Sequence, residues 1–493
     1  MKRWKLIVGL IFVLSIAIRL YLAFLTPYLS VGGSYFILKE VAHIKATGLP
    51  LIYDNLSYQG RTHIILPFFY YILALFSWVL SPINLGKIIP NILASLLPVV
   101  VYLIGVKITN SKPLAAFGAL VSIVNPVYLS ETFNLVSIQS IMLPLEFMLL
   151  YLFISNKKRS NNIWFVLLTF IVSLTSPLCF LLAVGFIIYY ILAFSFNFEQ
   201  RKGRVELGLF YLVTITWVNL IFYKKALYTY GWKIFWQNIP SPLLNSYFTP
   251  TSLFRTVQQI GLIPILFAFF TLYYYLFKRR DHDVYVLIGF LFANVFIMWL
   301  KIIQPTVGLM YVNTIIILLF LRFCKDFKSF IRQTRFDRFR NLFLIFFIVA
   351  FSASFIFSSA SLIKNNLQNT PDSQEIKNLI LAKFVTSKNS TILGSLNEGN
   401  LINYYAHRKN LMDTDFLLAP KTSRRYKDLY TIYTTLFETE RIRLLDKYNI
   451  KYILLTNFTK KNLGDVNITL TSSKCFKPIK GSKTIYEVMC TLQ

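Results

Sequence analysis

Apolar segments long enough to cross a lipid bilayer recur through the first 360 residues, and they limit the chain to the folds that a membrane allows. A transmembrane helix needs about 20 mostly apolar residues to cross ~30 Å of hydrocarbon. Hydrophobic residues make up 56% of the chain and charged residues 15%, whereas a soluble domain has about 25% charged residues. We therefore expect a polytopic α-helical membrane protein. The apolar segments are 5–25, 64–81, 88–107, 113–129, 135–154, 163–176, 178–196, 206–223, 257–277, 284–300, 307–324 and 341–359.

The first apolar segment resembles a signal peptide, because a basic start precedes an apolar core in MKRWKLIVGLIFVLSIAIRLYLAFL. The core is longer than that of a signal peptide, and no small-residue cleavage site follows it. We expect a retained membrane helix.

Basic residues greatly outnumber acidic ones, with 51 Lys and Arg against 21 Asp and Glu, for a net charge of +30. Such a charge can indicate nucleic-acid binding. Here much of it lies in short linkers between apolar segments, which is typical of cytoplasmic loops. We therefore expect no nucleic-acid partner. The basic linkers are 157–159, 201–204, 278–280 and 322–340.

The basic linkers predict the topology of the chain. If 322–340 is cytoplasmic, segment 341–359 leads out and everything after residue 360 lies outside. A cytoplasmic N-terminus then requires an odd number of spans. Segment 64–81 contains Pro67 and is closed by Pro82, which suits a helix lying in the outer interface. We predict a multi-pass protein of the cell membrane with about eleven spans and one juxtamembrane helix.

Glycosylation acceptors of the form N-x-[ST] agree with this topology. They occur at Asn55, Asn389, Asn457 and Asn467, all on the predicted outer side.

Four cysteines fall into two groups. Cys179 and Cys324 lie in or at the end of apolar segments and are expected to be packing thiols. Cys475 and Cys490 flank a hairpin-like stretch, and antiparallel pairing about its midpoint places them opposite each other. A cross-strand disulfide in an oxidising compartment is expected.

Two domains are predicted. Residues 1–359 form the transmembrane domain, with outer loops 27–87 and 224–256. Residues 360–493 form an extracytoplasmic α/β domain. Its predicted elements are helices at 372–386, 397–407 and 430–448 and strands at 391–396 and 451–456.

The polar groups placed outside are the candidates for chemistry, since acids are scarce in the membrane half. The sequence shows no zinc motif, phosphate-binding glycine loop, Ser/His/Asp signature or dinucleotide fingerprint. Each candidate also has a structural interpretation: a solvated helix face for Glu40, a turn cap for Asp54, a helix-dipole contact for Glu131 and hydrogen-bonded interface roles for His43 and His63.

The first loop and its surroundings resemble a known plan. One helix is followed by the pattern Y-F-x-x-x-E-x-x-x-I-x-x-x-G-x-P-x-x-Y-D-x-x-S-Y-x-G-R from Tyr35 to Arg61, then P-F-F-Y-Y-I-L-A from Pro67 to Ala74, then Asn125-Pro126, many spans and an outer α/β domain. This is similar to the GT-C superfamily of membrane glycosyltransferases. Relatives include the oligosaccharyltransferase catalytic subunit, protein O-mannosyltransferases and aminoarabinose transferases. At Leu396-Asn397-Glu398-Gly399 the tryptophans of the oligosaccharyltransferase W-W-D-Y-G motif are missing, which argues against protein N-glycosylation.

The resemblance implies transfer of a sugar from a polyprenyl-phosphate donor to a glycan or protein acceptor at the outer face of the membrane. A carboxylate would take the acceptor's proton, and cations would bind the leaving phosphate. The implied catalytic acids are Glu131 and Asp54. The implied substrate-binding residues are Arg61, His63, Glu40 and Arg255.

The sequence departs from the family at one position. Gly33, in Gly32-Gly33-Ser34-Tyr35, stands where the family's first acid is expected. A catalytically silent relative that binds polyprenyl lipid or scaffolds glycan assembly is therefore the alternative. A transporter is disfavoured, because no inverted repeat and no charged residue deep in paired helices is evident. The residues indicate no particular cofactor, and a divalent cation stays open.

Overall fold

The structure, a computed structural model, describes residues 2–156, 159–196, 202–248, 253–335, 337–463, 474–482 and 484–491. The chain forms two compact units. The helical unit comprises Met1–Leu25, Lys87–Ile221 and Pro250–Gln368. The mixed unit comprises Thr26–Gly86, Phe222–Thr249 and Asn369–Gln493.

Helices dominate the fold, as expected for a polytopic membrane protein. The first eleven are α1 (Lys2–Ala23), α2 (Ser34–Thr47), α3 (Phe68–Phe76), α4 (Pro82–Ala94), α5 (Leu96–Thr109), α6 (Lys112–Ile123), α7 (Pro126–Ser130), α8 (Gln139–Ile154), α9 (Arg159–Ser173), α10 (Cys179–Ser195) and α11 (Lys202–Tyr230). The others are α12 (Ser241–Tyr247), α13 (Leu253–Ile260), α14 (Leu262–Phe277), α15 (His282–Trp299), α16 (Pro305–Ile331), α17 (Arg340–Leu367), α18 (Ser373–Val385), α19 (Gly399–Leu401), α20 (Thr422–Thr434), α21 (Glu438–Lys447) and α22 (Asn457–Leu463).

The strands form two sheets in the described residues. The first loop holds an antiparallel pair, β1 (Tyr53–Asp54) and β2 (Arg61–Thr62). The second sheet has the order β4-β3-β5-β7-β6, with a parallel β4-β3-β5 part and an antiparallel β5-β7-β6 part. Its strands are β3 (Thr391–Leu393), β4 (Lys409–Asn410), β5 (Ile450–Leu454), β6 (Phe476–Pro478) and β7 (Ile485–Val488).

The helical unit agrees with the predicted membrane domain in its pattern of helices. Among the described residues, six helical stretches are long and apolar enough to cross a membrane, and four further apolar helices are shorter. Each of the eleven predicted spans contains at least part of a helix. The predicted interfacial segment 64–81 contains a shorter helix, α3, which begins directly after Pro67.

Close packing holds the helical unit together. Helices α10 and α15 meet at two glycines, and a Cβ atom on Gly289 would stand 2.9 Å from the carbonyl oxygen of Gly185. Small residues allow backbones to approach in membrane bundles, where packing and not water exclusion drives association. One sequence expectation fails in this bundle: Glu146 of α8 is fully buried, so a charged residue type does lie deep among the helices.

The mixed unit contains more than the predicted α/β domain, because both outer loops pack on it. From the first loop, the backbone N–H of Tyr58 donates to Asn410 Oδ1 at 2.8 Å. From the middle loop, Asn238 Nδ2 donates to the carbonyl oxygens of Phe416 and Ala419, at 3.0 Å each. The compact units therefore divide the chain differently from the predicted boundary at 360.

The predicted disulfide is confirmed. Cys475 and Cys490 are bonded across the β6-β7 hairpin, with their Cα atoms 5.0 Å apart. Cys179 and Cys324 are buried thiols, as expected.

Other details of the mixed unit differ modestly from expectation. The predicted helix 430–448 is two helices, because Thr435 adopts an extended backbone between α20 and α21. The predicted strands 391–396 and 451–456 end earlier, at Leu393 and Leu454. The sequon asparagines Asn55, Asn389 and Asn457 are exposed, and Asn467 lies outside the described residues.

Candidate functional site

A short hairpin in the first loop brings the candidate residues together. Strands β1 and β2 pair with Asp54 opposite Arg61, and the backbone N–H of His63 donates to Ile52 O at 2.8 Å. The connecting turn needs positive φ at Tyr58 (52°), Gln59 (63°) and Gly60 (129°). This pairing brings Asp54, Arg61 and His63 close to one another.

Asp54 is almost fully buried, at 3% exposure, and both of its carboxylate oxygens have partners. Lys39 of α2 forms an ion pair with Oδ2, and the backbone N–H of Leu56 donates to Oδ1 at 2.9 Å. Burial opposes ionisation, but His63 and Lys39 outweigh it and hold the pKa of Asp54 well below its usual range. Asp54 therefore favours its ionised form, and its carboxylate also caps the turn after β1.

His63 lies between two carboxylates. Its Nε2 is 3.5 Å from Asp54 Oδ2, and its Nδ1 is 3.3 Å from Asp415 Oδ2. Burial alone would lower the pKa of His63, but the bonds to Asp415 and Asp54 raise it above its ordinary value. The imidazolium form fits this position, since both ring nitrogens can then donate.

Arg61 is held by protein groups on every side of its guanidinium. Its Nη2 lies 2.9 Å from Asp415 Oδ2 and 3.4 Å from Asp413 Oδ1. Its Nε donates to Ser57 Oγ at 2.7 Å, and Nη1 donates to the carbonyl oxygen of Asp415. The side chain is completely buried, so it ties the first loop to the C-terminal segment.

Glu40 is a buried acid of a different kind. Its side chain points from α2 into the mixed unit with no exposed surface, and its Oε2 accepts from the backbone N–H of Leu51 at 3.3 Å. Its Oε1 has no hydrogen-bond partner among the described residues. Burial raises the pKa of Glu40 to about 7, against the opposing attraction of His63. Glu40 can therefore hold or release a proton near neutral pH.

The sequence offered Asp413 and Asp415 as polar groups on the outer side but did not indicate that this C-terminal segment joins the first loop in one cluster. Asp413 is fully buried and accepts from Ser57 Oγ at 2.5 Å, while the Asp415 side chain is 36% exposed. A signal existed, because both acids follow β4, and polar groups at the carboxyl ends of parallel strands often line sites. Asp415 is the one carboxylate of the described cluster with substantial access to solvent.

The helical unit carries the other two predicted residues. Glu131 directly follows the short helix α7 and is half-buried, and its backbone N–H donates to Val127 O at 3.0 Å. Burial raises the pKa of Glu131, with no charged side chain among the described residues contributing to the shift. Arg255 is exposed on α13.

A buried arginine in the helical unit was also missed. Arg19, near the end of α1, is 1% exposed, and its Nη1 donates to Thr132 Oγ1 at 2.9 Å. Its guanidinium lies 4.9 Å from the ring centre of Tyr128, and its Nε has no hydrogen-bond partner among the described residues. The signal was an arginine inside an apolar segment, which is costly in a membrane and commonly functional.

No metal site is evident in the portion of the chain that the structure describes. No group of three or more His, Cys, Asp and Glu side chains is arranged there to hold a metal ion.

No protein-family model and no curated protein matches this chain. Solved structures do match its fold. The oligosaccharyltransferase AglB from Archaeoglobus fulgidus, in complex with an inhibitory peptide and a dolichol-phosphate, is similar at TM-score 0.68 and 13% identity, over 91% of this chain and 69% of AglB. ArnT from Cupriavidus metallidurans, bound to undecaprenyl phosphate, is similar at TM-score 0.58 and 9% identity, over 99% of this chain and 98% of ArnT.

A third similar structure is the arabinofuranosyltransferase AftD from mycobacteria, at TM-score 0.57 and 11% identity, over 100% of this chain and 40% of AftD. All three are membrane glycosyltransferases of the GT-C superfamily. The chain therefore has the GT-C fold, in agreement with the resemblance found in its sequence.

Proposed function

We propose that this protein is a membrane glycosyltransferase that moves a sugar from a polyprenyl-phosphate donor to an acceptor at the outer face of the membrane. The observation that carries the proposal is the fold, shared over 99% of the chain with a glycosyltransferase that binds undecaprenyl phosphate. The N-terminus lies in the cytoplasm and the mixed unit outside.

Glu131 is the general base. A base works best when its pKa is near the working pH and its carboxyl can reach the acceptor. Burial moves the pKa of Glu131 upward and the residue keeps some exposed surface, whereas Glu40 is fully buried. Asp54 and Asp415 are poorer bases, because their cationic neighbours hold their pKa values well below the usual range. In the reaction, the acceptor O–H gives its proton to Glu131, its oxygen bonds to the anomeric carbon, and the bond from that carbon to the phosphate oxygen breaks.

Arg19 is the better candidate for contacting the leaving phosphate. The N–H groups of Arg61 are occupied by Ser57, Asp413 and Asp415. Arg19 has an uncommitted Nε and no carboxylate within ion-pairing distance among the described residues. A guanidinium suits phosphate because it offers a planar fork of donors.

The cluster around His63 positions the first loop instead of reacting. Asp54 and Asp415 clamp the imidazole from both sides, at 3.5 and 3.3 Å, and Arg61 binds Asp415. These contacts join loop residues to the C-terminal segment of the mixed unit. A rigid first loop keeps its exposed groups in one geometry for a substrate.

Transfer from a radiolabelled polyprenyl-phosphate sugar in membranes containing the full chain tests the proposal. Glu131→Gln should abolish transfer, a loss of at least 100-fold, with unchanged expression. Glu206→Gln, at an exposed acid of α11, is the matched control and should keep full activity. Unchanged transfer by Glu131→Gln would remove Glu131 from the mechanism.

The alternative is a catalytically silent relative, favoured by Gly33 where the family's first acid is expected. Purified protein that binds polyprenyl-phosphate sugar, yet never releases the sugar to any acceptor, would support this alternative.

A further inference from the structure

The segment 224–236, at the end of α11 and in the 3-10 helix that follows it, exposes several aromatic rings. Tyr228 is 94% exposed, Trp232 82% and Phe235 45%. The rings of Trp232 and Phe235 stack with their centroids 6.1 Å apart. Aromatic side chains of this kind are enriched at the level of lipid head groups, where their apolar rings leave water.

The same segment carries positive charge without any negative charge. Lys224, Lys225 and Lys233 are exposed. The sequence from Phe222 to Thr249 contains no Asp or Glu. Each such lysine attracts an anionic membrane surface, and no neighbouring acid in this stretch cancels the attraction.

The position of the lysines along α11 suits a membrane boundary. Arg204 and Lys224 lie in one continuous helix, Lys202–Tyr230. A helix rises about 1.5 Å per residue, so the two side chains are separated by about 30 Å, the thickness of the hydrocarbon core. Glu206 is the single charged residue between them in the sequence. If Arg204 lies at the head-group level at one end of this helix, Lys224 and Lys225 lie at the head-group level at the other end.

We propose that segment 224–236 is a binding surface for anionic phospholipid head groups. Its lysines contact the lipid phosphates, and Tyr228, Trp232 and Phe235 insert their rings at the boundary with the acyl chains. An acceptor glycan is the other ligand that stacks on exposed rings, but a glycan site also needs amide or carboxylate partners. Next to the segment, the amide of Asn238 already donates to Phe416 and Ala419, and no acid is present in this stretch.

Spin-labelled lipids test the proposal in the full chain reconstituted in phosphatidylcholine. The relative affinity for spin-labelled phosphatidylglycerol over phosphatidylcholine is measured for the wild type and for Lys224→Gln/Lys225→Gln/Lys233→Gln. We expect the triple variant to lose preference by about fivefold for each lysine that contacts lipid. High salt should also reduce the preference of the wild type for phosphatidylglycerol, because salt screens the attraction between lysines and lipid phosphates.

A matched variant controls for net charge. Lys388→Gln/Lys427→Gln/Lys480→Gln removes the same charge from exposed positions elsewhere in the mixed unit and should leave the preference unchanged. Equal preference in the wild type and the first triple variant would overturn the proposal. Trp232→Ala gives a second readout: lost binding of soluble oligosaccharide with unaltered lipid preference would assign the segment to a glycan instead. None of these measurements depends on sugar transfer.

Discussion

His63 Nδ1 lies 3.3 Å from Asp415 Oδ2, although the two residues come from opposite ends of the chain. The contact joins the first loop to the C-terminal segment, and Arg61 reinforces it by binding the same carboxylate oxygen at 2.9 Å. These contacts stabilise the first loop against the rest of the mixed unit. The stability of the loop should therefore depend on the ionisation and packing of the residues in that unit.

Glu40 should make stability depend on pH. A folded-state pKa of about 7, above the ordinary 4.5, means that its contribution is full below pH ~4.5 and is lost as pH rises toward 7. Glu40→Gln removes this loss, so we expect it to be more stable than the wild type at pH 8 by about 2–3 kcal/mol, and similar at pH 4.5. Thermal unfolding of the purified chain across this pH range measures the difference.

The pH dependence attributed to Glu40 can be compared with that of another acid. Glu375→Gln, at the capping box of α18, serves as a comparison on a partly exposed acid. A wild type and a Glu40→Gln variant with parallel stability curves from pH 4.5 to 8 would show that Glu40 stays ionised in the folded protein.

Arg61 should be essential for folding of the first loop onto the mixed unit. Arg61→Ala leaves Asp413 buried without its cation and leaves Asp415 with His63 as its remaining cationic partner, and breaking a buried pair in this way costs about 3–5 kcal/mol. Arg61→Lys should recover only part of this, because an ammonium cannot reproduce the guanidinium fork. Arg424→Ala, on the exposed side of α20, is the control. Limited proteolysis within 50–67 measures loop release, and equal cleavage in all variants would contradict the expectation.

Gly33 and Gly60 should respond oppositely to substitution. A Cβ on Gly33 meets nothing within 4 Å, so Gly33→Asp should keep the wild-type melting temperature and restore the acid of the family pattern. Gly60 has φ of 129°, and a Cβ there would lie 2.6 Å from Tyr53 Oη, so Gly60→Ala should destabilise the hairpin by about 1–3 kcal/mol.

Sugar transfer by Gly33→Asp and by the wild type also distinguishes an active enzyme from a silent relative. Transfer that appears only in Gly33→Asp would identify the natural chain as a silent relative. Transfer at the wild-type level in both proteins would show that the missing acid is not needed.

The proposed orientation is testable by cysteine labelling. Asn389→Cys should react with a membrane-impermeant maleimide added from outside, because residue 389 is exposed and expected to be extracytoplasmic. Gln333→Cys should react only after the membrane is opened, since it lies in the basic stretch 322–340. The natural thiols Cys179 and Cys324 are buried and should stay silent. The reverse labelling pattern would invert the topology.

Most of the fold could be predicted from the periodicity and composition of the sequence. Apolar length specified the membrane helices, because a bilayer requires internally bonded backbone over its full thickness. The spacing of Cys475 and Cys490 specified a hairpin and its disulfide, because both depend on local geometry. The GT-C resemblance was likewise visible in local motifs.

The contacts within the candidate site could not be predicted from the sequence, because they join residues far apart in the chain. The sequence singled out Asp54, His63 and Arg61, but it did not pair them with Asp413 and Asp415. Whether the pKa of an acid is lowered, like that of Asp54, or raised to about 7, like that of Glu40, depends on burial and on the cations beside it. Those quantities exist only in the folded protein. Residue types and their order along the chain thus determined the membrane fold, and tertiary packing alone decided the charge and the partners of each candidate side chain.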